Sequence, residues 1–176
     1  MNGLYKNLEW RAEHKPSEIT EEMIEAEVKD KKIFVSGFDK KRRPCIYVVA
    51  KNHDSYNRSE MPVMVNFMIK NIEDAMKQAL SDERFCIVFD LRQFGMACMD
   101  YEVVQALVSI LQLNYPEVMN RALIVDAPFL FTACWALIST WIDPVTVSKV
   151  DFVYASDFFQ GNCDIDIDEI PSSLKD

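Results

Sequence analysis

The residue best suited to chemistry in this sequence is Lys149, which follows closely on its most apolar segment. No formally charged side chain occurs in residues 127–142, and Lys149 is the only lysine or arginine between Ala122 and Ser173. An ammonium at the end of an apolar wall can bind a phosphate or another anionic group through charge-assisted hydrogen bonds. This arrangement predicts a binding site for an amphiphile with an anionic headgroup.

The uncharged segment itself is shorter than the roughly 20 apolar residues that span a bilayer. It also lacks the polar face that an ordinary surface helix presents to water. The pattern therefore predicts a helix over residues 130–142 that is either buried or lies at an apolar boundary such as a lipid. The large aromatic residues of this region are Phe129, Phe131, Trp135 and Trp141.

The length of the chain and its use of cysteine limit the class of protein to which it can belong. A chain of 176 residues suits one domain that buries its core without disulfides or metal. The five cysteines form no CxxC pair and four lie in apolar segments, which indicates small core side chains in a reducing compartment. We recognise no secretory signal or membrane-spanning segment, so we expect a cytoplasmic protein.

The charge distribution argues against nucleic acid as a partner. The net charge is -9, the sum of +1 for residues 1–60 and -10 for residues 61–176. A nucleic-acid backbone must be met by clustered basic side chains, and the only such cluster is the run from Lys40 to Arg43. Two interpretations of that run stay open: a solvated turn, or a contact with anionic membrane lipids.

Motifs for catalysis and metal binding are missing. The four glycines are never close together, which excludes a GxGxxG turn and a Walker loop, and no GxSxG motif occurs. His14 and His53 stand isolated in the sequence. The alternating acids of Asp164, Asp166 and Asp168 lack the glycine and closing glutamate of a calcium loop. We therefore expect no metal site, no cofactor and no enzymatic activity: the chain holds a molecule and does not transform it.

Hydrophobic periodicity predicts an α/β layer. Short apolar runs without alternation are typical of strands that are covered on both faces, and longer segments with helical spacing separate them. Parallel neighbours need such crossover helices, so we expect a mainly parallel sheet. The predicted strands are residues 32–36, 45–50, 85–89, 122–125 and 148–154. The predicted helices are residues 5–30, 61–80, 100–113 and 130–142. Within residues 5–30, cap residues near Thr20 predict the start of a second short helix.

Four stretches then follow in the order of a known family. They read FVSGFDKKRRPCIYV, FCIVFDLRQFGMACMDY, NYPEVMNRALIVDAPFLF and WIDPVTVSKVDFV. Together they resemble the CRAL-TRIO lipid-binding domain, and in particular the phosphatidylinositol/phosphatidylcholine transfer proteins of the secretory pathway. The resemblance covers roughly residues 30–160, and its most specific part is the pattern YPE, then DAP, then DPVT with a lysine three residues on.

This resemblance implies a sheet that floors a deep apolar lipid pocket, covered by helices that include a movable gate helix over residues 130–142. It implies that Glu117, Thr146 and Lys149 bind the headgroup of phosphatidylinositol. It also implies one bound phospholipid in place of a cofactor, a transient peripheral association with membranes, and room for a protein partner. The pocket and gate residues would be Phe129, Phe131, Trp135, Ile138, Trp141, Leu107 and Leu111.

Some features depart from the family pattern. Residues 1–30 look like the remnant of the longer helical region that precedes the domain in this family, with residues 31–176 as the lipid-binding domain. In the family, that region contributes an arginine to the headgroup site, and this arginine has no counterpart here. Alternatives therefore stay open: a regulatory module of a signalling protein that acts through membrane or protein contacts, or a binder of another hydrophobic ligand. From the residues alone, Lys149 could also simply pair with Asp151.

Overall fold

Five strands form one sheet in the order β1-β2-β3-β4-β5 in the computed structural model, which describes residues 2–80 and 82–175. β1 pairs with β2 in antiparallel fashion, and the other three pairings are parallel. The expected α/β class with a mainly parallel sheet is confirmed. The strands are β1 (Ile33–Phe38), β2 (Pro44–Val49), β3 (Phe85–Asp90), β4 (Met119–Val125) and β5 (Val150–Val153).

Helices connect the parallel strands and cover the sheet. α3 links β2 to β3, α4 links β3 to β4, and α5 with α6 links β4 to β5. The helices are α1 (Asn2–His14), α2 (Glu21–Val28), α3 (Met61–Gln78), α4 (Tyr101–Asn114), α5 (Phe131–Ile138), α6 (Pro144–Val147), α7 (Ala155–Phe159) and α8 (Ser172–Lys175).

Alternation along the strands gives each face of the sheet its own core. Ile46, Ile87 and Ala122 point to one face, where they pack with residues of α3 and α4. Their neighbours in sequence point to the other face and pack with carboxyl-terminal residues that include Phe158 and Ile165. Because both faces are covered, the central strands β2 and β3 are apolar along most of their length, which is why the sequence showed unalternating runs there.

Residues 5–30 contain two helices, and the second is the short helix predicted to be capped near Thr20. Lys15 has left-handed backbone angles and Pro16 cannot donate a backbone hydrogen bond, so α1 ends at His14. α2 then begins after Thr20, which has the extended backbone of an N-cap residue. The cap near Thr20 was predicted, whereas the end of α1 at His14 was not, because helical spacing alone carries no information on such a break.

The predicted gate helix is also shorter than its sequence range. α5 ends at Ile138, and residues Ser139–Trp141 form a 3-10 turn. The hydroxyls of Ser139 and Thr140 donate to backbone carbonyls three residues back, at 3.3 and 2.6 Å. Such local hydrogen bonds compete with the regular helical pattern and accompany its end.

The basic run that follows β1 pairs with the acidic carboxyl-terminal segment. Lys40 lies 3.8 Å from Asp166 and Arg42 lies 3.1 Å from Glu169. Glu169 also accepts a hydrogen bond of 3.0 Å from the backbone of Phe38. These contacts strap the carboxyl-terminal segment across the turn between β1 and β2.

Gly37 lies so close to the carboxyl-terminal segment that a side chain at this position would collide with it. Its φ is +65°, and a Cβ atom would lie 2.4 Å from the backbone oxygen of Glu169. Gly37→Ala should therefore lower the free energy of unfolding by about 2–4 kcal/mol, measured by urea denaturation. Gly95→Ala is the control, because Gly95 is extended with open space around it. Equal stability of the two variants would contradict this account of the strap.

Candidate functional site

An apolar cavity of about 190 Å³ lies between the helix-covered face of the sheet and the helices α4 and α5. Ordinary protein cores leave few voids larger than a water molecule. The floor of the cavity is formed by side chains from the middle of the sheet, among them Ile87, Ala122, Ile124 and Val150. Its wall is almost entirely apolar, so it is suited to hydrocarbon.

α4 supplies one side of the cavity. Asp100 caps this helix by accepting a hydrogen bond of 3.2 Å from the backbone N–H of Val103. From that start, Val104, Leu107 and Leu111 recur at helical spacing and line the cavity. Gln112 sits at the far end, where its side chain donates to the carbonyl of Trp141 and accepts from the N–H of Asp143. The end of α4 is thereby tied to the segment that follows α5.

α5 forms the roof. Phe131, Trp135 and Ile138 lie on its inner face and line the cavity. Phe131 meets Phe94 edge-on with ring centroids 5.5 Å apart, and Trp135 meets Phe152 of β5 at 5.3 Å. The exposed face of the helix is uncharged and mostly apolar too: Ala133 and Leu137 are exposed, and Thr132 is its polar residue. α5 is therefore apolar on both sides, one towards the cavity and one towards solvent.

Two of the residues expected in the pocket lie outside it. Phe129 precedes α5 and its side chain is 92% exposed. Trp141 falls in the 3-10 turn, where the helical spacing no longer holds, and it packs edge-on against Tyr101 at 6.0 Å. The structure brings together Leu107, Leu111, Phe131, Trp135 and Ile138 around the cavity.

Thr146 lies at the cavity wall in α6. Its hydroxyl donates to Oδ2 of Asp143 at 2.6 Å, and its backbone N–H donates to Oδ1 at 2.9 Å. These two hydrogen bonds lower the pKa of Asp143, which caps α6. The hydroxyl oxygen of Thr146 is held in place and can still accept a hydrogen bond.

Lys149 lies just before β5 and is half buried. Its ammonium donates to the backbone carbonyl of Met119 at 3.3 Å. The alternative pairing with Asp151 is wrong: that carboxylate forms its ion pair with Arg121. The reason is that β5 begins at Val150, so Lys149 does not share the strand alternation of Asp151. An ammonium has three N–H donors, and a carbonyl occupies one of them.

Glu117 is exposed in the turn before β4 and has a left-handed φ of 63°. Met119, two residues later, both binds Lys149 through its carbonyl and lines the cavity. The three residues expected at the headgroup therefore lie at the edge of the sheet where β4 and β5 begin, and Thr146 alone among them lines the cavity.

Ionisable residues at the opposite edge were missed by the sequence reasoning. Lys32, His53 and Asp100 all line the cavity, near the end of β2 and the start of α4. Asp100 accepts hydrogen bonds from His53 at 3.0 Å and from Arg58 at 2.7 Å. These contacts join residues more than forty positions apart, so spacing along the chain gave no signal.

Lys32 is the centre of a second buried contact. Its ammonium lies 2.5 Å from Oε2 of Glu27, and both side chains are almost fully buried. The other oxygen of Glu27 accepts from the backbone N–H of Ser59 at 2.8 Å. Burial raises the pKa of Glu27, but the hydrogen bonds from Lys32 and Ser59 outweigh it and the pKa is lowered. Burial also raises the pKa of Asp100, but the hydrogen bonds from Arg58 and His53 outweigh this effect, so that pKa is lowered as well.

These two carboxyl groups should make the protein less stable in acid. A carboxyl whose pKa is lower in the folded than in the unfolded state stabilises the fold above its unfolded pKa, and loses that effect as the pH falls through the folded value. The loss should start near the ordinary values of 4.5 for Glu27 and 3.8 for Asp100 and continue below them.

The measurement is the free energy of unfolding by urea at a series of acidic pH values. Glu27→Gln should flatten the fall of stability with decreasing pH. Glu22→Gln, on the exposed side of the same helix, is the matched control and should keep the slope of the original protein. A slope unchanged by Glu27→Gln would show that the buried ion pair does not govern acid stability.

Two structural absences apply to residues 2–80 and 82–175. No group of three or more histidine, cysteine, aspartate or glutamate side chains there is placed to hold a metal ion. Within the same ranges, no helix combines the length and the apolar character needed to cross a membrane.

Comparison with known proteins places the chain in a family. A family model described as the CRAL/TRIO domain matches residues 28–175. The chain belongs to the CRAL/TRIO domain family, whose members bind or transfer lipids.

Relatives and a solved structure agree with this assignment. The chain is 32% identical over 123 residues to a CRAL-TRIO domain-containing protein of Schizosaccharomyces pombe, a match covering 69% of this chain and 27% of that one. It is 34% identical over 124 residues to the phosphatidylinositol transfer protein CSR1 of Eremothecium gossypii, covering 69% and 28%. Each match thus spans little more than a quarter of the relative. The crystal structure of Sfh5 has the same fold, with a TM-score of 0.75 at 18% identity over 92% of this chain and 60% of that one.

Proposed function

We propose that this protein is a cytoplasmic lipid carrier that holds one phosphatidylinositol molecule. The observation that carries the proposal is the apolar cavity under α5, floored by the sheet and flanked at one edge by Thr146 and Lys149. The acyl chains occupy the cavity. The phosphate accepts hydrogen bonds from the ammonium of Lys149 and from the hydroxyl of Thr146, which must first turn away from Asp143. Glu117 accepts hydrogen bonds from inositol hydroxyls. The name of the relative CSR1 supports this choice of headgroup.

Energetics favour a cavity of this kind for transfer. Each methylene exposed to water costs about 0.8 kcal/mol, so a two-chain lipid crossing water unprotected would lose well over 10 kcal/mol. Because the cavity wall is apolar, the hydrophobic free energy of the acyl chains changes little when the lipid passes from the bilayer into the protein. Selectivity then depends on the headgroup, where a cation and a phosphate form a strong charge-assisted contact.

The size of the cavity requires α5 to move. About 190 Å³ exceeds the roughly 150 Å³ of an engineered cavity that binds benzene, yet it is far too small for two acyl chains. We therefore propose that this arrangement is the closed form and that loading displaces α5 outward from the sheet. Phe129, Leu130 and Leu137 form the exposed apolar surface of this gate, and we propose that they touch the membrane transiently while lipid exchanges.

Removal of the ammonium at Lys149 tests the headgroup assignment. Lys149→Ala should weaken phosphatidylinositol binding by about 2–5 kcal/mol, because a desolvated phosphate loses its cationic partner. Binding of a neutral hydrophobic ligand should change little, since its contacts are with the apolar wall. Lys77→Ala, at an exposed position on α3, is the control. The measurement is displacement of a fluorescent lipid by phosphatidylinositol and by the neutral ligand. Equal losses for both ligands would refute the assignment.

Membrane contact by the gate is tested at Phe129. Phe129→Ser should weaken binding to phospholipid vesicles, measured by co-sedimentation, and should leave the thermal midpoint of unfolding unchanged because the side chain is 92% exposed. Tyr5→Ser is the matched control: Tyr5 is 68% exposed but lies on α1. A loss of vesicle binding shared by both variants would show a nonspecific effect of surface apolarity and would contradict docking through the gate.

A further inference from the structure

A second groove lies among the helices α1, α2 and α3, and no residue that lines it also lines the cavity under α5. It opens where α1 ends at His14, because Lys15 has left-handed backbone angles and turns the chain before α2 begins. Residues from the end of α1, from α2 and the turn before it, and from the first turns of α3 line the groove, and its volume is about 670 Å³. The proposed lipid site leaves this groove unused.

The floor of the groove is apolar. Ile19 is its buried residue, and Met61 and Val65 lie one turn apart on α3, so their side chains share a face. Met23 is 47% exposed, and its sulfur accepts a hydrogen bond of 3.5 Å from the backbone N–H of Thr20, which fixes its place. Methionines are common on surfaces that bind other proteins, because the flexible thioether adapts to a partner. This floor favours large aliphatic side chains of a partner.

Negative charge surrounds the apolar floor. The charged side chains that line the groove are Glu13, Lys15 and Glu18, and the lysine is already paired with Glu18 at 3.4 Å. Glu13, Glu22 and Glu60 form no ion pair within residues 2–80 and 82–175. Glu22 and Glu60 directly precede lining residues of the groove in the sequence. The groove therefore presents unpaired carboxylates around an apolar floor, which matches a basic partner and repels an anionic one.

We propose that this groove binds a segment of a partner protein in which aliphatic side chains stand between lysines or arginines. The aliphatic side chains pack against Met23, Met61 and Val65. The cations pair with Glu13 at the end of α1 and with the carboxylates beside the lining residues of α2 and α3. A phospholipid surface with anionic headgroups does not fit, because the same carboxylates repel its phosphates. The proposal is independent of the lipid that occupies the cavity.

Peptides of different chemistry test which partner the groove accepts. Binding of short fluorescein-labelled peptides to the full chain is measured by fluorescence anisotropy at about 0.15 M salt, where charges more than roughly 8 Å away are largely screened. A peptide with leucines between lysines should bind. Replacement of its leucines by serine should weaken binding about tenfold or more, because the apolar floor loses its contacts. Replacement of its lysines by glutamate should weaken binding by a similar factor, because like charges then meet.

Reversal of one charge in the protein locates the binding. Glu13→Lys should weaken binding of the lysine–leucine peptide about three- to tenfold, and the glutamate–leucine peptide should gain affinity for the same variant. Asp157→Lys is the matched control, because it makes the same charge change on α7, which packs on the opposite face of the sheet. It should bind the peptides like the original protein. Both variants should keep the thermal midpoint of unfolding, since both side chains are exposed.

The proposal is overturned if no peptide binds, or if the serine or the glutamate peptide binds the original protein as tightly as the lysine–leucine peptide. It is also overturned if Asp157→Lys loses as much affinity as Glu13→Lys, because the attraction would then be to the net charge of the chain and not to the groove. Octylamine that displaces the labelled peptide as effectively as the unlabelled peptide does would assign the groove to a small cationic amphiphile and would contradict a protein segment.

Discussion

The rest of the structure depends on one constraint: the apolar face of the sheet beneath α5 is covered but not filled. An unfilled cavity in a core costs about 24 cal/mol for each cubic ångström, so about 190 Å³ corresponds to roughly 4–5 kcal/mol. That is a large share of the 5–15 kcal/mol by which domains are usually stable. A void of this cost is consistent with a ligand that occupies it, because a ligand that binds only the folded state restores the lost contacts and adds stability.

The apolar character of α5 follows from the same constraint. A helix that only closed a core would bury one face and present polar residues on the other. Here Phe131 and Ile138 face the cavity while Leu130 and Leu137 face outward. Both faces suit a helix that lies against the sheet in one state and against lipid in another. The hydrogen bonds of Gln112 to residues 141 and 143 hold the segment after α5, so the proposed movement is confined to α5 itself.

The sequence predicted the features that depend on local pattern. Unalternating apolar runs indicated the parallel strands, and the absence of charge in residues 127–142 indicated the roof helix. Features that depend on long-range contacts were out of reach. Arg58 and Asp100 meet across 42 positions, and Asp151 pairs with Arg121 of the neighbouring strand, not with the nearby Lys149. The second helix after Thr20 was predicted from its cap, but the end of α1 at His14 and the turn that displaces Trp141 were not, because helical spacing continues through both.

The most direct test of the central claim, that the space under α5 is a lipid site, is native mass spectrometry of the purified protein after incubation with vesicles containing phosphatidylinositol. The expected result is one phosphatidylinositol per chain, recovered as a discrete mass increment and by lipid extraction. A second sample, Leu107→Trp, whose larger side chain fills part of the cavity, should lose that increment. A chain that shows only its own mass, or an increment that persists when the cavity is filled, would contradict the account.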